Sequence, residues 1–93
     1  MKTFGEYLRR NREERELPLR KVAAALDIDT SILSKIERNE RRASVDMLPI
    51  ISETLGLTEK EVQIEFIKSL VETELGGLSF LKEGLERAIR DLN

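Results

Sequence analysis

The chain has no cysteine and no histidine. Disulfides, thiolate or imidazole metal sites, Ser-His-Asp triads and cysteine nucleophiles are excluded together, and any metal would have to be held by carboxylates alone. Tryptophan is absent, and proline and glycine are scarce at 2 and 5 residues, while Leu, Ile, Val and Ala supply most of the apolar content. That balance favours an all-helical architecture without strands. Gly76-Gly77 is the only glycine pair, and it lacks the lysine that a phosphate-binding loop requires. No apolar run approaches the roughly 18 residues of a membrane span, and the opening MKTFGEYLRRNREERE is charged throughout. The expectation is a soluble, cytoplasmic, non-enzymatic protein with no metal, no cofactor and no membrane association.

What is present fits one compact domain, since 93 residues leave no room for a second independent core. The net charge of −2 conceals an asymmetry: residues 1–44 carry 11 Lys/Arg against 8 Asp/Glu, and residues 45–93 carry 5 against 10. Only the first half could face phosphates, although scattered charges on solvated helix faces explain so modest an imbalance equally well.

Thr3-x-x-Glu6 is a capping box, and Phe4 with Leu8 begins an apolar stripe, so a first helix is expected from about Thr3 to Arg15. Pro18 suits the first position of a short second helix whose buried face is Val22, Ala23 and Leu26. Asp27-Ile28-Asp29 breaks it, and Asp29 can cap a third helix carried by Leu33 and Ile36 that ends near Arg38-Asn39. Asn39 can take the left-handed C-cap conformation.

After the basic loop Glu40-Arg41-Arg42-Ala43, Ser44 can cap a fourth helix ending at Leu55 with Gly56 as its C-cap. Pro49 predicts a kink, or a regular helix that starts only near Leu48. Thr58-x-x-Glu61 opens a fifth helix of about 17 residues that stops at Gly76-Gly77. Val62, Phe66 and Leu70 fall on one side of it and Ile64, Ile67, Val71 and Leu75 on another, as in a sandwiched helix. A sixth helix repeats Leu78, Leu81, Leu85, Ala88 and Leu92 at spacings of three and four, joined by Ile89. A hairpin within the chain or an intermolecular bundle would cover both stripes.

Two short helices joined by a three-residue turn within LRKVAAALDIDTSILSKIE are what a helix-turn-helix requires. Small Ala23 allows close approach, Leu26, Ile28, Leu33 and Ile36 lock the crossing, and the other face of the third helix stays polar for a major groove. At this point residues 4–57 resemble the lambda-repressor-like family, the Cro/XRE helix-turn-helix proteins. The carrying residues are Leu17, Val22-Ala23, Leu26, Ile28, Leu33-Ser34-Lys35-Ile36-Glu37-Arg38, Ser44, Leu48 and Leu55-Gly56-Leu57.

The resemblance implies a structural ion pair between Arg12 and Glu37, base-edge contacts at Thr30, Ser31 and Lys35 with Asp29 and Ile32 beside them, and phosphate contacts at Arg38, Arg41 and Arg42. Lys35 is long enough to reach guanine O6/N7, and a solvated lysine is its bland alternative. Thr30 and Ser31 are short and need close docking. Ile32 could meet a thymine methyl or pack on the second helix, and Asp29 could accept from cytosine N4 or simply cap. The sequence departs from the family at Pro18-Leu19, where members commonly carry Thr and a phosphate-clamping Gln, so Arg20 or Lys21 would have to supply that contact. It departs again at Asp27, where the turn usually begins with Gly.

The expected protein is all-α: a lambda-repressor-like helix-turn-helix bundle over residues 1–57 and a C-terminal helical hairpin over 58–93. Dimerisation is assigned to Ile64, Ile67, Val71, Leu78, Leu81, Leu85 and Leu92. The partner is double-stranded DNA, bound by a homodimer at a palindromic operator as in a repressor or a restriction-modification controller protein. The alternative is an antitoxin whose C-terminal helices bind a protein toxin, with DNA binding serving autoregulation.

Overall fold

The structure is a computed structural model that describes residues 3–92. It is built of α1 (Phe4–Glu14), α2 (Leu19–Ala25), α3 (Thr30–Glu37), α4 (Leu48–Leu55), α5 (Glu59–Leu75) and α6 (Leu81–Asp91), with a 3₁₀ turn at Val45–Met47 and no strand among the described residues. Among the described residues no helix is long and apolar enough to cross a membrane.

Local chemistry starts each helix. The Thr3 hydroxyl accepts from the Glu6 amide, and the Glu6 carboxylate accepts from the Thr3 amide, so two donors of the first turn of α1 are satisfied reciprocally. At α5 the Thr58 hydroxyl accepts from the Glu61 amide at 3.1 Å. Pro18 stands one position earlier than expected, at the N-cap of α2 in extended conformation, where its missing N–H is equally harmless. Asp29 and Ser44 occupy N-cap positions of α3 and of the 3₁₀ turn, but neither side chain makes a capping hydrogen bond. Pro49 falls in the first turn of α4, where its missing N–H costs no helix bond, and the preceding 3₁₀ turn delivers the chain to a helix that starts at Leu48.

The first four helices stop by one device. Glu16, Asp27, Asn39 and Gly56 all adopt positive φ, at 53°, 57°, 61° and 66°. In each case the following amide reaches back six residues inclusive, Leu17 to the Arg12 carbonyl, Ile28 to Ala23, Glu40 to Lys35 and Leu57 to Ser52. This is the Schellman arrangement, which satisfies carbonyls the helix end leaves free. Three of the four sites carry a residue with a Cβ, although a left-handed backbone costs such residues roughly 1–2 kcal/mol.

The core collects Phe4, Tyr7 and Leu8 from α1, Val22 and Ala23 from α2 with Leu26 just after it, Leu33 and Ile36 from α3, and Leu48, Ile51 and Leu55 from α4. It continues into α5 through Val62 and Phe66, so the packed unit extends past residue 57, where the sequence placed a division. Helix α5 packs on both α4 and α1. The Phe66 ring meets Phe4 edge-on, with centroids 5.3 Å apart. The buried Ser69 hydroxyl accepts from the Phe4 amide at 2.9 Å, so α5 caps the start of α1 from 65 residues away.

Helix α6 belongs to none of the packed helix pairs and has no buried residue. The two helices expected to form a hairpin are therefore not packed along their lengths within one chain. Leu78, expected in the stripe of α6, lies in the connection before it. Phe80 at 75% and Leu92 at 82% exposure show how much apolar surface this end presents.

Candidate DNA interface

The α2-turn-α3 unit is locked from beneath. Ala23, Leu33 and Ile36 are buried, while Ile28 and Ile32 are partly buried against the same core, which places Ile32 on the packing side of α3. Thr30, Ser31 and Lys35 are left exposed away from that core, with Ser31 and Lys35 one turn apart on one face. Asp29 is exposed beside them.

Helix α3 is held at its far end by α1. The Arg12 guanidinium donates from Nε to Glu37 Oε2 at 2.7 Å and from Nη2 to Glu37 Oε1 at 3.0 Å, and its Nη1 donates to the Leu17 carbonyl at 2.9 Å. The side chains are only 13% and 5% exposed. The hydrogen bonds that Arg12 donates to Glu37 are the main influence raising the Arg12 pKa, with desolvation opposing them. The geometry is the bidentate fork that fixes two planar groups together and so fixes the angle of α3. Gly5 completes the contact: a Cβ there would lie 2.2 Å from the Ile36 carbonyl oxygen and 2.7 Å from that of Glu37. Only glycine lets α1 approach the end of α3 so closely.

The cations expected at phosphates are all exposed, but they differ in their company. Arg38 makes a fork with Glu40, Nε to Oε2 at 2.9 Å and Nη2 to Oε1 at 3.3 Å, and also donates to the Ser34 hydroxyl. That pairing raises the Arg38 pKa and holds the Glu40 carboxyl below its ordinary value, with a smaller contribution from Lys35 on Glu40. Arg42 is paired with Glu74 of α5. Arg41 has no carboxylate partner among the described residues. Arg20 and Lys21 are exposed in the first turn of α2. The apolar residues Ile64, Ile67, Leu78 and Leu92 are exposed, whereas Val71, Leu81 and Leu85 are half-buried. Among the described residues no group of carboxylates is placed to hold a metal ion.

Three participants escaped the sequence reading: Gly5, Ser69 and Glu74. A glycine in a first helical turn and a serine continuing the Val62-Phe66 face were the signals for the first two. A glutamate among many had none.

Residues 8–62 match a helix-turn-helix family model. Curated protein sequences gave no match. Among solved structures, the clp gene regulator ClgR from Corynebacterium glutamicum is similar, with 28% identity, a TM-score of 0.62, and coverage of 92% of this chain and 85% of the other. The match spans the α2-turn-α3 unit, its Arg12–Glu37 tie and the polar face it presents, and the chain belongs to the Cro/C1-type family of helix-turn-helix DNA-binding proteins.

Proposed function

We propose that this protein is a sequence-specific transcription regulator that inserts α3 into the major groove of an operator as a homodimer. The observation that carries this reading is the exposed Thr30, Ser31 and Lys35 face on a helix whose other side and far end are fixed to the core and to α1. Lys35 reads base edges, Thr30 and Ser31 dock closely beside it, and Arg20, Arg38, Arg41 and Arg42 hold phosphates. The similar ClgR structure is described as that of a gene regulator, which supports the same role here.

The dimer is supported by apolar surface that one chain leaves open. Ile64, Ile67, Leu78 and Leu92 are exposed, and Val71, Leu81 and Leu85 are only half-covered. Two-fold symmetry then calls for a palindromic operator with half-sites about 34 Å apart or a multiple of that. A bound dimer acts most simply as a repressor, by excluding polymerase. In this division of labour residues 1–57 read DNA and residues 58–93 assemble the dimer, with the start of α5 shared between them. The same open surface of α6 favours a second reading, an antitoxin whose C-terminal helices are covered by a protein toxin.

Fluorescence anisotropy on DNA from upstream of the protein's own gene, titrated with salt, tests the assignment. Lys35→Ala should narrow the gap between operator and random DNA. Joint Arg41→Ala and Arg42→Ala should weaken both, and flatten log affinity against log salt by about one unit per lost phosphate contact in each subunit. If Lys35→Ala weakens both DNAs equally while the loop variant alone loses discrimination, α3 is not the reader. Copurification of a toxin encoded by a neighbouring gene, with loss of the homodimer, would favour the second reading.

A further inference from the structure

We infer that Glu74, on the last turn of α5, is an affinity-setting residue of the DNA interface: its carboxylate occupies the Arg42 guanidinium that a phosphate must take. The inference rests on the proposed DNA reading and names a control on that same site. Arg42 lies on the loop behind α3, and Glu74 lies 32 residues further along the chain, so the pair is a tertiary contact and not a local one. It bridges the loop to α5 over a cleft lined by Phe4, Ile36, Phe66, Ser69 and Thr73.

A guanidinium and a carboxylate form the same planar fork that a guanidinium and a phosphate form. The Arg42 Nη2 donor that meets Glu74 Oε1 cannot face a phosphate at the same time. The side chains of Arg42 and Glu74 are 57% and 51% exposed, so the existing pair is solvated and weak enough to open. Opening it is nevertheless a cost for a phosphate that takes the guanidinium edge carrying Nη2. The Glu74 carboxylate is also left near the phosphates unless it turns away, which adds like-charge repulsion. The uncovered carboxylate gathers a counterion, and this offsets part of the ion release that drives phosphate binding. Arg38 is held similarly by Glu40 from within its own loop. Of the loop's cations, Arg41 is then the one whose charge meets DNA without prior exchange.

The test is a double-substitution cycle on the full chain, read as operator affinity across a salt series, with Glu74→Gln, Arg42→Ala and the combined variant. Glu74→Gln should tighten operator binding roughly three- to fivefold per half-site, the scale of an exposed ion pair. It should also steepen the salt slope by a fraction of a unit per subunit. In the Arg42→Ala background the same substitution should change affinity by less than about half as much on a logarithmic scale. Equal gains with and without Arg42 would show only a general charge effect and overturn the inference. Weaker binding by Glu74→Gln would overturn it too, by making Glu74 a support that positions Arg42. Operator binding that is unaffected by either substitution removes the role of Glu74 and leaves the α3 reading intact. A wild-type chain that binds no DNA fails the underlying reading instead, and this inference with it.

Discussion

The Phe4 amide, first donor of α1, meets the Ser69 hydroxyl of α5 at 2.9 Å inside the core. Removing the hydroxyl strands a buried N–H, which costs about 1–3 kcal/mol. Ser69→Ala should therefore lower the melting temperature by roughly 4–8 °C for each kcal/mol lost. Thr73→Ala removes a hydroxyl that only donates back to the Ser69 carbonyl within its own helix, so it should cost far less. Equal losses in thermal melts would show that the cap from α5 contributes nothing.

Arg12→Ala should destabilise by about 3 kcal/mol or more in urea titration, because Glu37 would be left as a charge with almost no access to water. Replacing both partners with apolar residues of similar volume should recover much of the loss while loosening the angle of α3, so DNA affinity should fall more than stability does. A single-variant loss within the roughly 0–1 kcal/mol of an exposed pair would mean the fork is solvated.

The Tyr7 hydroxyl is buried and has no hydrogen-bond partner among the described residues. Burial first, then the nearby Glu61 and Glu65 carboxylates, raise its pKa above 10. A raised folded value leaves stability intact below the unfolded pKa and removes it as pH climbs from about 10 through the folded value. Tyr7→Phe should be neutral or stabilising at pH 7, and its melting temperature should decline less than that of the wild type between pH 9 and 11. A destabilised Phe variant at pH 7 would reveal a partner for the hydroxyl.

Glu16 and Asp27 hold left-handed backbones that glycine adopts freely. Relief of roughly 1–2 kcal/mol, less the roughly 0.5–1 kcal/mol of extra chain entropy that glycine loses on folding, leaves a gain of about 0–1.5 kcal/mol for either Gly substitution. Asn39→Gly should gain less, because asparagine tolerates this region better. Lowered denaturation midpoints for both variants would contradict the capping argument.

A chain ending at Gly77 keeps Val62, Phe66 and Ser69 in place and loses α6. If the proposed dimer is built on α6, it should remain folded, sediment as a monomer and bind the operator far more weakly, having lost the second subunit's contacts. A folded, tight dimer from that truncated chain would remove α6 from the interface. A chain ending at Leu57, by contrast, should lose its fold, because part of the core goes with α5.

Much of this was legible beforehand because it is local chemistry. The Thr3 box, the start of α4 near Leu48, the Gly56 cap and the 17-residue span of α5 each follow from residues within one or two turns of the feature. The α2-turn-α3 spacing was legible for the same reason. The Schellman end at Glu16 was not, since nothing in glutamate favours a left-handed backbone and only the fold's demand for that turn places it there.

The sequence by itself determined the helices and their order, the buried side of α1, α2 and α3, and a polar face on α3, because periodicity and caps act over a few residues. Only the tertiary structure decided which helix ends meet. It put Gly5 under the end of α3, Ser69 on the start of α1 and Glu74 on Arg42, and it left α6 with no buried residue. These are relations between residues up to 65 positions apart. At the Ser69 and Glu74 positions other polar residues of suitable size could serve, and a glycine in a helix does not name what approaches it, so no local pattern encodes these contacts until packing brings the two surfaces together.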